Sequence, residues 1–366
     1  MSVKRAFAGL LSAEEYKPRP RNALSGRFLV PPFSVLNARE GEWQQRKRAW
    51  LSLGIRSEVG RGENLLKFSD SVLAAQQGKE WGKEGQAGKL PGRKATAIPG
   101  GGGTGKNSAW LFKSAEDGYL TNDEMDESQL TGTSIFDPVL CEIAYRWFCP
   151  VGGHVLDPFC GGSVRGIVAG ELGLNYTGID LRQEQIDANN KQAEQIGTQP
   201  VPRWLAGDSR NIASLTAGEG NGYDFIFSCP PYGHLEVYSD DKRDISNMSP
   251  EDFGAAYNEI ILESCKLLKP GRFACFVVGD ARTKEGDYTC IPEQTIAAFM
   301  EAGLWLYGRA ILVTSVGSLP MRINRQFLAG RKLGNTHQYM FVFSKGDPKK
   351  FLPTWSGTLL DKEIGK

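Results

Sequence analysis

From residue 131 onward the chain alternates between two rhythms. Short apolar runs are each followed by a longer stretch in which apolar residues recur every three or four positions. The short runs suit buried strands, and the longer period suits a helix with one apolar face. Their alternation is the pattern of an α/β domain built on a parallel sheet. A helix is predicted to start at Asp137-Pro138, with Asp as N-cap and Pro in the first turn. Val139, Leu140, Ile143, Ala144 and Trp147 form its apolar face. A strand follows at 154–156, then a Gly-rich turn and a helix over about 164–172. Next come a strand at 176–179 ending at Asp180, a helix at 184–195, and a short strand at 203–206 ending at Gly207-Asp208. A strand at 224–228 runs into Cys229-Pro-Pro-Tyr232; a helix at 250–268, a strand at 272–278 and a helix at 292–302 follow. Two β-rich runs, 310–316 and 338–344, close the pattern as a hairpin-like pair, and no internal repeat is visible.

Upstream the rhythm is lost. Residues 1–77 mix short apolar runs with the basic segment Trp43-Gln-Gln-Arg-Lys-Arg-Ala-Trp50. Residues 78–107 are rich in Gly and Lys, including the run Gly100 to Gly103, and read as a flexible linker. An acidic patch at 116–127 completes a connecting region over 78–130. The expected organisation is therefore a basic region (1–77), this connection, a domain over 131–350, and a short tail at 351–366. At 366 residues the chain has ample length to bury a core.

Composition narrows the function. No run of ~18 apolar residues exists, which excludes a membrane-spanning helix, and the N-terminus lacks the apolar stretch of a secretory signal. The seven cysteines form no CxxC pair and only three histidines accompany them. A zinc site or disulfide framework is not expected; reduced thiols in a cytoplasm are. The net charge of +1 hides an asymmetry: up to Ser114 there are 20 Lys/Arg against 9 Asp/Glu, or +11, and the remainder carries −10. A basic third on an acidic body suggests contact with a polyanion, nucleic acid first. The alternative is a basic face docked on the chain's own acidic part.

Four features fall at the carboxyl ends of four successive predicted strands, where open α/β sheets bind ligands. Asp157-Pro-Phe-Cys-Gly-Gly-Ser163 places glycines directly after a strand, so that the backbone can approach a ligand and the next helix can aim its N-terminus there. Gly178-Ile-Asp180 places a carboxylate about 20 residues further on, a spacing that suits two ribose hydroxyls or, equally, a helix cap. Ala206-Gly-Asp208-Ser209 offers another strand-end carboxylate, suited to an adenine amine. In Ser228-Cys-Pro-Pro-Tyr232 the Pro-Pro pair stops the strand and stiffens its exit, fixing the angle of the tyrosine.

This order of motifs resembles the S-adenosylmethionine-dependent DNA methyltransferases of the exocyclic-amine type, which make N4-methylcytosine or N6-methyladenine. The resemblance covers about residues 131–345 and implies a Rossmann-like methyltransferase sheet, mostly parallel with an antiparallel terminal strand. Thr131-Gly-Thr-Ser-Ile-Phe-Asp-Pro138 looks like the family's additional cofactor motif, which brings in Thr133 and Phe136. The stretch PPFSVLNAREGEWQQRKRAW is similar to a segment of phage-encoded members, which implies DNA modification in a bacterial or phage-infected host cell, with or without a restriction partner. Carried over, the resemblance puts Asp157, Phe159, Gly161 and Gly162 at the methionine end of S-adenosylmethionine, Asp180 and Leu181 at the ribose, and Asp208 and Ser209 at the adenine. It gives the Pro230 carbonyl, beside Pro231, to the target amine. Tyr232 would stack on a base flipped out of double-stranded DNA, because a duplex hides the reacting atom inside the stack.

No target-recognition insert separates the cofactor motifs from Cys229-Pro-Pro-Tyr232. By elimination, DNA contact falls to the basic N-terminal part, with Arg46, Lys47, Arg48, Arg56 and Arg61 as candidates and Trp43 and Trp50 as either contacts or core. The late segment 317–333, with Arg322 and Arg325, reads as a loop able to clamp the backbone. Two departures from the family pattern matter. Ser163 stands where glycine is usual. Cys229 replaces the Asp, Asn or Ser that accepts from the amine, and a neutral thiol is a poor acceptor. Ser228 and the Pro230 carbonyl then take over, or Cys229 is a nucleophile of the cytosine-C5 type, which needs an activated thiolate and a glutamate, Glu236 being the nearest downstream. An RNA methyltransferase and a non-catalytic DNA-binding protein are the further alternatives. Gly100–Lys106 imitates a phosphate-binding loop, but Asn107 stands where the magnesium-binding Ser/Thr belongs, so nucleotide hydrolysis is not expected.

Overall fold

The computed structural model describes residues 24–56, 136–220, 222–232, 238–283, 285–314, 316, 319–355, 357–359 and 361. Arg61, Thr133, Glu236, the linker at 78–107 and the acidic patch at 116–127 lie outside the described residues.

Eight strands form one sheet: β1 (Val35–Asn37), β2 (His154–Asp157), β3 (Asn175–Asp180), β4 (Arg203–Ala206), β5 (Tyr223–Ser228), β6 (Leu268–Val278), β7 (Trp305–Val313) and β8 (His337–Ser344). Their order is β1-β7-β8-β6-β5-β2-β3-β4. Neighbours run parallel except β8, which is antiparallel to both β6 and β7. This is the Rossmann-like methyltransferase sheet that the resemblance implies: the antiparallel strand is the last in sequence and lies inside the sheet.

The described helices are α1 (Leu24–Phe28), α2 (Glu42–Leu51), α3 (Pro138–Phe148), α4 (Val164–Glu171), α5 (Gln183–Ile196), α6 (Ile212–Leu215), α7 (Pro250–Leu267), α8 (Ile291–Glu301), α9 (Leu319–Gly330) and α10 (Pro348–Phe351). Local chemistry fixes their starts. The Asp137 carboxylate accepts from the Val139 and Leu140 N–H groups at the head of α3. Ser249 does the same for the Asp252 N–H at the head of α7. Both helices open on proline, whose missing N–H is no loss in the first turn.

Helices cover both faces of the sheet, so its central strands are apolar on both sides. On β5 and β6, Phe225, Phe227, Phe273, Cys275 and Val277 join one core with residues of α2 to α5. Ile226, Ala274, Phe276 and Val278 join the other with residues of α7 and α8. At about 1.5–3 kcal/mol per large apolar side chain removed from water, these two layers dominate the stability.

Two elements differ from the sequence expectation. The final β-runs are antiparallel neighbours, but their connection is not a tight turn. It carries α9, a helix in the stretch read as a loop. Pro320 suits a first helical turn, and Leu319, Ile323 and Phe327 recur every fourth residue, a helical spacing. The second is in the basic N-terminal part. There β1 pairs in parallel with β7, Val35 opposite Ile311, and widens the sheet by one strand. The helix α2 lies against α3, where the Trp43 indole N–H donates to Asp137 (3.0 Å) and the Trp50 N–H to Glu142 (2.8 Å). Both tryptophans are buried, so they are core residues.

Candidate active site

Since β2, β3, β4 and β5 run parallel, their carboxyl ends share one edge of the sheet. The four sequence motifs meet there. Chain order hides one neighbour relation: β5 lies beside β2, not beside β4. That places Ser228 next to Asp157.

Asp157 is fully buried. Its Oδ2 accepts from Arg165 Nε at 2.5 Å and from the Tyr176 hydroxyl at 2.7 Å. Its Oδ1 accepts from the Ser228 hydroxyl at 2.5 Å and from the Phe159 N–H at 3.2 Å. This differs from the expectation of an open carboxylate: Asp157 is a structural centre, held on all sides by the protein's own donors. Ser228 is fully buried as well, its hydroxyl donating to Asp157 and receiving the Phe159 N–H at 3.2 Å, so it is not an acceptor for an incoming amine.

The loop after β2 is held from beneath. Arg165 Nη2 donates to the carbonyls of Phe159 (2.6 Å) and Cys160 (2.9 Å), and Asn189 Nδ2 donates to the carbonyl of Gly161 (2.7 Å). Three successive carbonyls are thereby pinned by buried side chains. Gly161 has φ +48 and nothing within 4 Å of where a Cβ would stand, so the loop keeps open space above it. Gly178 answers a different need: a Cβ there would lie 2.7 Å from Cys160 and 2.8 Å from the Tyr176 ring. Glycine lets the loop lie directly on β3. The Arg165 guanidinium also stacks 4.6 Å from the Phe136 ring centroid, and Phe136 meets Phe227 edge-on. Phe159 is partly exposed beside Tyr257, and Gly162 is partly exposed. Ser163, in the usual glycine position, is buried and donates to Gln192 at 2.6 Å.

Asp180 ends β3 partly exposed, next to the half-buried Leu181, with Oδ1 receiving the Arg182 N–H at 2.9 Å. Burial lifts its carboxyl above the usual carboxylate range, against the pull of that N–H and the Arg182 charge. Both oxygens of Asp208 accept from the Arg210 guanidinium, at 2.6–3.1 Å, which outweighs the cost of burial and lowers its pKa. Ser209 is buried and donates to the Pro158 carbonyl at 2.6 Å, tying the β4 exit to the loop after β2.

At the exit of β5, Pro230 is buried while Cys229, Pro231 and Tyr232 are half-buried. The Tyr232 hydroxyl accepts from Gln338 Nε2 at 2.8 Å and lies 3.5 Å from Cys229 Sγ. Its ring passes over Gly279, where a Cβ would come within 3.5 Å. Burial and the neighbouring Cys229 push the Tyr232 phenol well above its ordinary range, so it stays protonated. Arg165, Tyr176, Asn189 and Gln338 were not singled out from sequence. Arg165 left a trace, as a charge inside the apolar run Val164-Arg-Gly-Ile-Val-Ala.

The basic N-terminal candidates divide. Arg46 makes a bidentate pair with the fully buried Glu142, which also pairs with Arg146. Burial would raise the Glu142 carboxyl, but the two guanidinium groups hold it down to about 2. Lys47 pairs with Asp137 at 3.7 Å. These two cations are tied to α3, each with about a fifth of its side chain exposed. Arg48 and Arg56 are exposed. Arg325 is exposed on α9, and Arg322 belongs to the same helix.

No protein-family model matches the chain, and no curated protein does. Among solved structures, TrmN from Thermus thermophilus is similar at 18 % identity over 58 % of this chain and 49 % of its own, with a TM-score of 0.39. The chain thus spans about half the length of TrmN. A TehB-like SAM-dependent methyltransferase from Corynebacterium glutamicum matches at 15 % identity, covering 66 % of this chain and 97 % of its own (TM-score 0.34). A methyltransferase from Pyrococcus furiosus matches at 13 %, covering 66 % and 99 % (TM-score 0.37). At these values the sheet order remains the ground for the fold. Among the described residues no helix is long and apolar enough to cross a membrane, and no cluster of His, Cys, Asp or Glu could hold a metal ion.

Proposed function

We propose that the protein is an S-adenosylmethionine-dependent methyltransferase that methylates an exocyclic amine of cytosine or adenine in double-stranded DNA. The observation that carries this reading is the shared edge: the pinned glycine loop after β2, Asp180 after β3 and the Cys229-Pro-Pro-Tyr232 turn after β5 converge on one side of the sheet. The residues suit the cofactor. Gly161 leaves room above the loop, and Asp180 presents a carboxylate at the distance along the chain that suits two ribose hydroxyls. Leu181 and Phe159 would flank it with apolar surface. Asp208, paired with Arg210, would accept from an adenine amine through the lone pairs that pairing leaves over. Thr133, with Phe136, would contact the methionine end.

When bound, S-adenosylmethionine supplies an electrophilic methyl group on a sulfonium. The chain's part is positioning and exclusion of water, which accounts for much of the rate in a transfer of this kind. The Pro230 carbonyl accepts an N–H of the target amine and so directs the nitrogen lone pair away from it. Tyr232, held by Gln338, gives the flipped base a ring to stack on. With Ser228 withdrawn onto Asp157, the backbone carbonyl does this work without a side-chain oxygen from Ser228.

The test uses the purified protein, unmodified DNA and labelled S-adenosylmethionine, followed by nucleoside mass spectrometry. N4-methylcytosine or N6-methyladenine is the expected product. 5-Methylcytosine would make Cys229 a nucleophile and replace the mechanism. No label on any DNA overturns the DNA reading and leaves RNA methylation and a binding-only role to be tried.

A further inference from the structure

We propose that α9 and the chain that returns from it to β8 are the surface on which the duplex docks, gripping its phosphates beside the Cys229-Pro-Pro-Tyr232 turn. This deepens the reading above and rests on it. The N-terminal basic block, the first candidate by composition, loses Arg46 and Lys47 to Glu142 and Asp137 of the protein itself. The connection between β7 and β8 behaves differently. From residue 314 to 337 it holds Arg322, Arg325, Arg331 and Lys332 and no Asp or Glu. Arg325, Arg331 and Lys332 are exposed. A run of outward cations without a carboxylate complements a polyanion.

Its place in the fold is as telling as its charge. The parallel β7 ends on the same edge as β5, so α9 starts from the side where the candidate site lies. The chain returns through Asn335, whose side chain donates to the Asp280 carbonyl at 3.2 Å, and enters β8 at His337-Gln338. Gln338 is the residue that holds the Tyr232 hydroxyl. One short segment therefore joins the cations to the ring expected to receive the base.

One other occupant fits less well. A lipid surface needs a broad apolar face, but the Leu319 side chain fills the space over Gly334, and Ile323 is half-buried. Among the described side chains of this segment the large apolar groups left exposed are Phe327, Leu328 and Leu333, with Arg331 stacked 5.4 Å from the Phe327 ring. Apolar surface set among cations suits sugars and base edges in a groove.

The test measures binding of a fluorescent random-sequence DNA duplex, and of an RNA duplex of equal length, by anisotropy across a salt series. The wild type is compared with Arg325→Gln/Lys332→Gln, both changes being on exposed side chains. Each phosphate contact contributes about 0.9 to the slope of log K against log salt. Loss of two contacts should flatten the slope for DNA by about 2 and weaken binding about 30-fold at 0.15 M salt, relative to the 1 M reference. Thermal melting and S-adenosylmethionine affinity should stay unchanged. An unchanged DNA slope overturns α9 as the docking surface; if the wild type still methylates DNA in the same preparation, the proposed function survives that failure. A slope change confined to the RNA duplex overturns DNA as the occupant. A slope change with DNA but no methyl transfer by the wild type supports the surface while the reading of the chemistry fails.

Discussion

Replacing Arg165 by methionine should loosen the candidate site from beneath. Arg165 is nearly buried, with its Nε on Asp157 and its Nη2 on the carbonyls of Phe159 and Cys160. Methionine fills similar volume and removes all three interactions. Breaking a buried ion pair from one side costs about 3–5 kcal/mol. Asp157 keeps Tyr176, Ser228 and the Phe159 N–H, which favours the lower end. The two orphaned carbonyls add about 1 kcal/mol each. A total of about 5 kcal/mol lowers Tm by roughly 10–20 °C for a domain of this size. Urea unfolding, with S-adenosylmethionine titrated calorimetrically into the folded variant, reads both consequences. The midpoint should fall at constant m-value and the cofactor should bind more weakly, because the pinned loop has lost both of its Arg165 anchors. Tyr176→Phe, which removes one donor from the same carboxylate, should cost less, about 1.5–3 kcal/mol. Arg165→Met/Asp157→Leu should be less damaging than Arg165→Met alone, since an apolar pair replaces a stranded charge. A loss below about 1 kcal/mol for Arg165→Met, or unchanged cofactor affinity, would refute the claim that this arginine organises the loop.

Asp180→Ala should weaken S-adenosylmethionine binding by about 10- to 100-fold, the worth of one or two charge-assisted hydrogen bonds, as read by calorimetry. Because burial raises the Asp180 carboxyl above its usual 3.8, the wild type should hold the cofactor above that raised pKa and lose affinity as the pH falls through it, whereas Asp180→Ala should show no such dependence. Tyr232→Phe and Gln338→Leu should each lower kcat about fivefold, the value of about 1 kcal/mol, with cofactor Kd unchanged; a shift in Kd instead would detach Tyr232 from the base. Glu142 is held at about 2 in the fold against 4.5 in a free chain, so its contribution is complete above pH 4.5 and disappears as the pH falls towards 2. The loss is roughly 3 kcal/mol, and urea midpoints between pH 6 and 2.5 should drop more steeply for the wild type than for a less stable Glu142→Gln.

What the sequence disclosed was whatever is encoded locally. The starts of α3 and α7 were legible because their caps and prolines lie within four residues of each other. The strand ends were legible because each apolar run stops at a Gly, Asp or Pro-Pro signal. The side chains that make the site work were not, because they depend on the order of strands in space. Ser228 and Asp157 are 71 residues apart and touch only because β5 inserts beside β2. Taken alone, Ser228 at a strand end looked like an open acceptor; beside a buried carboxylate it becomes a donor facing inward. The same holds for charge. Arg46 reads as a solvated cation until α2 is laid against α3 and Glu142 appears beneath it. The helix α9 was missed for another reason: flanking Ser, Gly and Pro residues read as loop chemistry and masked the four-residue spacing of Leu319, Ile323 and Phe327.

The buried centre at Asp157 explains why the two halves of the proposed chemistry are coupled. The loop after β2 would carry the methyl donor, and the turn after β5 would carry the acceptor base. In-line transfer needs the reacting atoms about 3–3.5 Å apart, with little tolerance for misplacement. A sheet alone fixes the strands, but each exit could still move by more than that. Here both exits end on one carboxylate: Phe159 of the first through its N–H and Ser228 of the second through its hydroxyl. Arg165 closes the arrangement by neutralising that carboxylate and holding the carbonyls on either side of the Phe159–Cys160 peptide's N–H. On the proposed function, substitution of Asp157 or Ser228 would therefore act on donor and acceptor positions together, although both side chains are buried. The conspicuous acid of the first motif would then serve the proposed reaction by fixing distance.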